Sequence, residues 1–260
     1  AASVLAGAAV TVELSPAAGP GRDEVDAAAV VQQAGVDGFV VYSVADDDPY
    51  LAAVLERHIP IVVCDQPREI PGASLVGIDD RAAMRKVADY LIGLGHRDIG
   101  VLCMRLGRDR MDGVVSQERL KSPHFHVQRE RIEGVRDAMV ASDMDPLSLT
   151  VIERYVHTSQ SGHSAAAEAL ATNPEITALV CTTDVLALGA LDWARWQGID
   201  VPGQLSITGF DGVDEALRES LTTVRQPQEE KGGQKSGRAA SKVLQPMKPL
   251  HPEAGGVKHD

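Results

Sequence analysis

Short apolar stretches alternate along this chain with longer stretches of mixed polarity. Five of the apolar stretches stop at a hydroxyl or carboxylate side chain, namely Ser43, Asp65, Asp79, Thr182 and Asp211. Uninterrupted runs of Val, Ile and Leu are typical of strands that are buried on both faces, as in parallel sheets covered by helices. Ligands of open parallel sheets bind beyond the carboxyl ends of the strands. The pattern therefore predicts an α/β protein with a polar pocket at those ends.

Strand and helix signals alternate along most of the chain, which predicts βαβ units and parallel sheets. We predict strands at residues 10–14, 39–42, 61–64, 75–78, 99–103, 151–155, 179–181, 207–210 and 222–224, and helices at 23–34, 49–58, 81–94, 128–141, 162–171, 184–196 and 229–244. Residues 107–128 are polar, contain several arginines and show no clear period, so we predict a long irregular loop there. The loop separates two βα blocks, which predicts two similar lobes, each a parallel sheet flanked by helices, with a cleft between them.

The composition narrows the class of protein. A chain of 260 residues is long enough for two modest domains, and its formal net charge of −12 argues against direct binding of nucleic-acid phosphates. No apolar run approaches the roughly 18 residues of a membrane span. The three cysteines have no CxxC spacing, which favours free thiols and a reducing compartment, so we expect a soluble, cytoplasmic protein. Because the chain begins with Ala1, we also expect it to be a piece of a longer protein or a processed product.

Seven motifs between residues 36 and 227 follow one another in a recognisable order. They are VDGFV at 36–40, IPIVVCD at 59–65, LGHRDI at 94–99, ERIEG at 130–134, TDVLALGA at 183–190, LSITGFD at 205–211 and LTTVRQP at 221–227. In this order they resemble the effector-binding core of the lactose-repressor (LacI/GalR) family of bacterial transcription regulators. The resemblance implies a periplasmic-binding-protein-like fold of type I. The chain departs from the family pattern at Glu219-Ser220, where two prolines are usual, and after residue 244.

The resemblance also implies how the chain is divided. Residues 1–103 with 227–244 would form the first lobe, and residues 104–226 with 245–260 would form the second. The family's N-terminal helix-turn-helix domain has no counterpart in the chain, so we expect operator DNA to be bound through a domain outside it. A homodimer is implied, and no cofactor.

Asp65 and Asp211 are the first candidates for an effector site, since the family places both positions in the cleft. A carboxylate accepts two hydrogen bonds side by side, as adjacent sugar hydroxyls would donate them. The alternative for each is an aspartate that caps or turns the segment after its strand. The same alternative applies to Asp79 and Asp80, which we predict to cap the helix at 81–94.

Four further positions complete the predicted effector site. Arg131 lies one helical turn before Gly134, and in the family this arginine reaches the effector; its guanidinium suits ring oxygens, vicinal hydroxyls or a purine edge. The alternative is a solvent-exposed member of a charged run. Thr183 replaces the family's frequent Asn, whereas Asp184 is explained by helix capping. His157 stands where many sugar-binding members have a stacking aromatic, and Ser43 ends a strand.

Catalysis finds little support in the sequence. There is no GxSxG elbow, no GxGxxG after a strand and no Walker lysine motif, and the glycines at 232–237 do not follow a strand. His124 and His126 lie near Asp112 in the sequence but without a metal-binding motif, so we expect neither catalytic residues nor a metal site.

The sequence thus predicts a repressor core that binds a small polar effector, a sugar or a purine-like molecule, between two lobes. Effector binding would shift the population of lobe orientations and change the operator affinity of the dimer. The first alternative is a periplasmic-type sugar-binding protein, which shares the two-lobed architecture. The second is an α/β enzyme on a nucleotide-binding scaffold.

Overall fold

A computed structural model of the chain describes residues 24–121 and 124–226. The strand predicted at 10–14 and the helix predicted at 229–244 lie outside the described residues, as do the segments 227–244 and 245–260 assigned to the two lobes. The described elements form two parallel sheets with helices packed on them, which confirms the predicted α/β class.

The first lobe is built on a sheet of three parallel strands in sequence order. Its elements are α1 (Glu24–Gln33), β1 (Phe39–Tyr42), α2 (Pro49–Glu56), β2 (Ile61–Cys64) and β3 (Ser74–Val76). Helix α2 begins at a proline, which has no N–H to leave unpaired, and the Asp48 carboxylate before it accepts hydrogen bonds from Tyr50 N and Leu51 N. The small core of this lobe includes Val41, Val54 and Val63.

The second lobe is built on a sheet of six strands in the order β5-β6-β4-β7-β8-β9, parallel except for β5. Its strands are β4 (Ile99–Met104), β5 (Gly113–Val114), β6 (Thr150–Arg154), β7 (Ala178–Cys181), β8 (Ser206–Asp211) and β9 (Thr222–Arg225). Its helices are α3 (Asp80–Gly93), α4 (His126–Ala141), α5 (Ser159–Thr172), α6 (Asp184–Gln197) and α7 (Asp214–Arg218). Helices α3 and α4 cover one face of the sheet, and α5 and α6 cover the other.

The boundary predicted after residue 103 disagrees with the strand pairing. Strand β4 is hydrogen bonded to β6 on one side and to β7 on the other, so it lies inside the larger sheet. Helix α3 also belongs there, because a Cβ on Gly134 of α4 would collide with the backbone of Arg81 and Arg85 in α3. The chain therefore crosses between the lobes before α3, not after β4.

The long loop is more ordered than its composition predicts. Within 107–128 the structure contains β5, a 3-10 turn at Arg119–Lys121 and the first turn of α4, so the prediction of an irregular loop is wrong in part. The buried Glu153 carboxylate anchors the segment by accepting hydrogen bonds from Arg119 Nε at 2.8 Å and from the backbone N of Leu106 at 2.7 Å. This anchoring depends on β6, which comes after the loop in the chain.

The two lobes meet at the carboxyl ends of their strands. Val127 N in α4 donates to Gln66 Oε1 after β2 at 2.8 Å, and Asp46 N after β1 donates to His124 O at 3.3 Å. The gap between the lobes is therefore bordered by the residues that follow both sets of parallel strands. In the part of the chain that the structure describes, no helix has the length and apolar character of a bilayer span.

Candidate functional site

The guanidinium of Arg131 is buried at the edge of this gap. Its Nε donates to Asp80 Oδ1 at 2.9 Å, its Nη1 donates to the carbonyl oxygen of Thr182, and its Cζ lies 3.6 Å from the centroid of the Phe210 ring. Its Nη1 is also 4.0 Å from Asp211 Oδ1. The side chain is only 6% exposed, so Arg131 is not a surface member of the charged run around it.

Asp80 is the counter-charge of Arg131, a role that the sequence did not reveal. We predict from the sequence that both Asp79 and Asp80 cap the following helix, but only Asp79 does so, accepting from Ala82 N at 2.9 Å. Asp80 is buried and pairs with Arg131, and Arg68 Nη2 lies 3.7 Å from its Oδ2. The buried charge of Arg131 is therefore balanced inside the protein.

Asp211 ends β8 in an unfavourable backbone conformation. Its φ of 123° lies in a region that residues with a Cβ rarely adopt, at a cost on the order of 1–3 kcal/mol. Two hydrogen bonds from Gln226 hold this conformation. Gln226 Nε2 donates to the side-chain Oδ1 of Asp211, and Gln226 N donates to its backbone O at 3.1 Å. The Asp211 carboxylate is thus held beside Arg131, with 22% of its side chain exposed.

Thr183 and His157 are in direct contact beside Arg131. His157 Nε2 lies 2.9 Å from Thr183 Oγ1, which also accepts from Leu186 N and so caps α6. His157 is exposed as a whole, but partial desolvation of its ring, followed by the positive charges of Arg105 and Arg131, lowers its pKa below the ordinary value. The imidazole is therefore neutral near pH 7 and can donate through one nitrogen and accept through the other.

Asp184 has a different role from the helix cap that the sequence predicts. It is fully buried and accepts from Val213 N at 2.8 Å and from Thr223 Oγ1 at 2.5 Å, which ties α6 to the segment after β8 and to β9. Its burial raises the pKa of the carboxyl, against the hydrogen bonds that lower it. Asp184 thus does not face the gap, and its role is to hold together the elements that carry the site.

The first lobe contributes Ser43 and Asp65 to the opposite side of the gap. Both residues have positive φ values, 48° and 68°, where the chain turns sharply after β1 and β2. Gln66 connects them to the second lobe: its Nε2 donates to Ser43 Oγ at 3.2 Å, while its Oε1 accepts from Val127 N. Gln66 is buried, and the sequence alone does not distinguish it, because amides commonly follow strands without forming such a bridge.

Tyr42 links the two sides electrostatically. Partial burial and the negative charges of Asp65 and Asp211 raise the pKa of its phenol, and the positive charge of Arg131 opposes this shift. The phenol therefore lies within electrostatic range of carboxylates from both lobes. The structure thus places Tyr42 near one predicted carboxylate from each lobe, although the sequence marks it only as the last residue of an apolar strand.

A separate polar cluster joins the lobes near the outer surface. Among the described residues, one group of three possible metal ligands occurs, Asp46, Asp47 and His124, with ligand atoms within 4.8 Å of one another and all three residues exposed. His124 Nδ1 is 2.9 Å from Asp46 Oδ1, and Arg108 Nη1 is 3.6 Å from Asp47 Oδ2. Asp112, the neighbour that the sequence suggests for the histidines, instead accepts from Tyr155 N. The cluster is therefore a set of polar contacts between the lobes, among them the Arg108–Asp47 ion pair.

Comparison with known proteins places this geometry in a family. A family model described as a periplasmic binding protein-like domain matches residues 88–252. An HTH-type transcriptional regulator of Mycobacterium tuberculosis is 58% identical over 228 residues, which cover 88% of this chain and 62% of the relative. The chain thus spans less than two thirds of the length of that curated relative.

Solved structures agree with the sequence relatives. A LacI-family transcriptional regulator from Corynebacterium glutamicum superposes with a TM-score of 0.82 at 39% identity, covering 89% of this chain and 69% of that one. The regulator CelR in complex with cellobiose superposes with a TM-score of 0.66 at 27% identity, covering 80% of this chain and 60% of that one. The family model and the 39% identical structure together establish that this chain belongs to the LacI family of transcriptional regulators.

Proposed function

We propose that this chain is the effector-binding core of a transcriptional repressor and that it binds a sugar in the gap between its lobes. The observation that carries the proposal is the position of Arg131, a buried guanidinium 4.0 Å from the Asp211 carboxylate at the carboxyl ends of parallel strands. Arg131 offers fixed donors and Asp211 offers acceptors, so a molecule with neighbouring hydroxyls can satisfy both.

The remaining groups suit the same class of ligand. Asp65 adds acceptors from the first lobe, and Ser43, Thr183 and neutral His157 can each donate or accept. The hydroxyls of a sugar both donate and accept hydrogen bonds, whereas a purine edge would use few of these groups. The cellobiose bound by CelR, a structural neighbour, supports a sugar as the ligand class.

The regulatory step in this proposal is a shift between lobe orientations. A ligand that contacts Ser43 and Asp65 on one lobe and Arg131, Thr183 and Asp211 on the other stabilises the orientation in which all contacts are made. In a homodimer, that orientation would set the distance between two helix-turn-helix domains and hence their fit to two operator half-sites. Operator DNA must in turn change the affinity for the sugar by the same factor.

The net charge of the chain is consistent with a core that binds the effector while a different domain binds DNA. A net charge of −12 suits a core that leaves phosphate binding to another domain of the protein. Because operator DNA is in the cytoplasm, we place the protein there, and its three free, buried cysteines are compatible with a reducing compartment. A periplasmic sugar-binding protein would share the architecture, but the relatives of this chain are transcriptional regulators.

A thermal-shift screen of mono- and disaccharides against the full-length regulator tests the proposal. A sugar at about 100 times its Kd should stabilise the protein by about 2.7 kcal/mol. The Asp211→Asn variant should lose this response, while Asp214→Asn, which changes an exposed carboxylate on α7, should keep it. An equal response in the Asp211→Asn variant would contradict the proposed site.

A further inference from the structure

Arg105 lies at the carboxyl end of β4, next to the strand ends that carry the candidate site, although the sequence does not single it out. It directly follows β4, whose last residue, Met104, pairs with Arg154 of β6, and Leu102 of β4 pairs with Cys181 of β7. The strand order therefore puts Arg105 between the segment that leads to His157 and the segment that leads to Thr183. Its charge also contributes to the lowered pKa of His157, which is evidence that the two side chains are near one another.

Two aromatic rings hold the Arg105 guanidinium in place. Its Cζ lies 4.8 Å from the centroid of the Phe125 ring and 5.5 Å from the centroid of the Tyr155 ring. Stacking of this kind orients a guanidinium and leaves its five N–H donors available in the plane of the group. Arg105 is half-buried, so the side chain is restrained without being removed from the gap.

The charge of Arg105 has no carboxylate partner in the part of the chain that the structure describes. The buried arginines Arg131 and Arg154 pair with Asp80 and Glu168, and the half-buried Arg119 pairs with Glu153. Arg105 has ring contacts but neither a hydrogen bond nor an ion pair with residues 24–121 or 124–226. A positive charge without a counter-charge among these described residues, beside a candidate ligand site, favours an anionic ligand group.

We propose that the effector carries a phosphate or carboxylate group and that Arg105 binds it, which makes the effector an anionic sugar. This inference rests on the proposed function and specifies its ligand class. A guanidinium binds either anion with two parallel hydrogen bonds. His157, which is neutral near pH 7, can donate a further hydrogen bond to the same group.

The arrangement of the strands separates the two ends of such a ligand. Asp211 follows β8, and β7 lies between β8 and β4. With strands about 4.8 Å apart, the ends of β4 and β8 are about 10 Å apart. The hydroxyl end of a monosaccharide phosphate or sugar acid can therefore reach Asp211 while its anion lies on Arg105, away from the carboxylate.

The test compares matched neutral and anionic ligands by calorimetric titration of the full-length regulator. The pairs are glucose with glucose 6-phosphate, ribose with ribose 5-phosphate, and glucose with glucuronate, with inorganic phosphate alone as an additional ligand. We expect the anionic member of at least one pair to bind about tenfold to a hundredfold more tightly, the range for hydrogen bonds to a charged group. Comparison of the affinities for the sugar phosphates with the affinity for glucuronate shows which anion is preferred.

Three variants assign the preference to Arg105. Arg105→Gln should abolish the preference for the anionic member, Arg105→Lys should retain part of it, and Arg110→Gln should leave it unchanged, since Arg110 is 72% exposed and pairs with Asp112. Tight binding of neutral sugars with no gain from the anion would overturn this inference and leave the proposed function standing, as would a preference that survives in Arg105→Gln. Binding of no sugar of either kind would overturn both.

Discussion

Arg131 in α4 donates through Nε to the carboxylate of Asp80 at the start of α3, at a distance of 2.9 Å. Both side chains are buried, with 6% and 2% of their surfaces exposed. The pair joins the two helices that cover one face of the larger sheet and fixes the guanidinium that borders the gap between the lobes. Asp80 is therefore expected to influence both the stability of the fold and the affinity for the ligand.

Removing Asp80 tests this coupling. Asp80→Ala leaves Arg131 as a buried charge without its main partner, so we expect a loss of about 3–5 kcal/mol in the free energy of unfolding. Asp79→Ala, at the neighbouring helix cap, should cost only about 1 kcal/mol. Urea denaturation of both variants provides the comparison, and equal losses would mean that the Arg131–Asp80 pair is not a strong structural element.

Tyr42 should contribute to ligand affinity without contributing much to the fold. Its ring is more than half exposed, and its phenol lies within electrostatic range of Asp65 and Asp211. Loss of a neutral hydrogen bond to the ligand in Tyr42→Phe should weaken binding by roughly threefold to tenfold. Tyr90→Phe, an exposed tyrosine on α3, is the control. Both variants are titrated by calorimetry with the sugar found in the screen. Equal affinity of the two variants would contradict a contact between Tyr42 and the ligand.

His157 should make the stability of the protein depend on pH in the acidic range. The unfolded chain takes up a proton on this residue near pH 6.5, about the ordinary value, but partial desolvation of the ring and the charges of Arg105 and Arg131 lower the pKa in the folded state. Between the two pKa values the unfolded state binds more protons, so the free energy of unfolding falls as the pH falls through this window. Above about pH 7 both states are neutral and the dependence vanishes.

Thermal unfolding from pH 5 to pH 8 measures this dependence. His157→Gln removes the titrating group and keeps a hydrogen-bonding amide for Thr183, so the decline towards acid should become shallower. His58→Asn, at an exposed histidine with positive φ in the first lobe, is the matched control for the loss of a histidine. His96 also has a pKa lowered by burial, so part of the decline will remain in His157→Gln. An unchanged decline in that variant would show that His157 does not titrate differently in the two states.

Much of the fold follows from local pattern, because the apolar runs that we predict as strands around Val63, Leu102 and Val180 are the buried strands of the two sheets. The boundary between the lobes cannot be predicted from local pattern. Strand β4 lies between β6 and β7, and this neighbourhood is decided by packing between segments that are far apart in sequence.

The candidate site shows the same limit. Asp65, Arg131 and Asp211 stand out because they lie in recognisable motifs at strand or helix ends. Asp80 and Arg105 do not, since a first-turn aspartate is most simply explained as a cap, and an arginine after an apolar strand has no evident ligand until the strand order is known. Their importance comes from partners on other strands and helices, such as Arg131 for Asp80 and Phe125 for Arg105.

Calorimetric titration of one binding sugar into the full-length regulator and into the variants Asp65→Asn and Asp211→Asn is the most direct test of a ligand held between the lobes. Asp65→Asn removes a carboxylate from the first lobe, and Asp211→Asn removes one from the second. If both lobes contact the sugar, both variants should raise its Kd by about tenfold or more, with thermal unfolding of the unliganded proteins unchanged within a few degrees. Binding of the original strength in either variant would contradict a site shared between the two lobes.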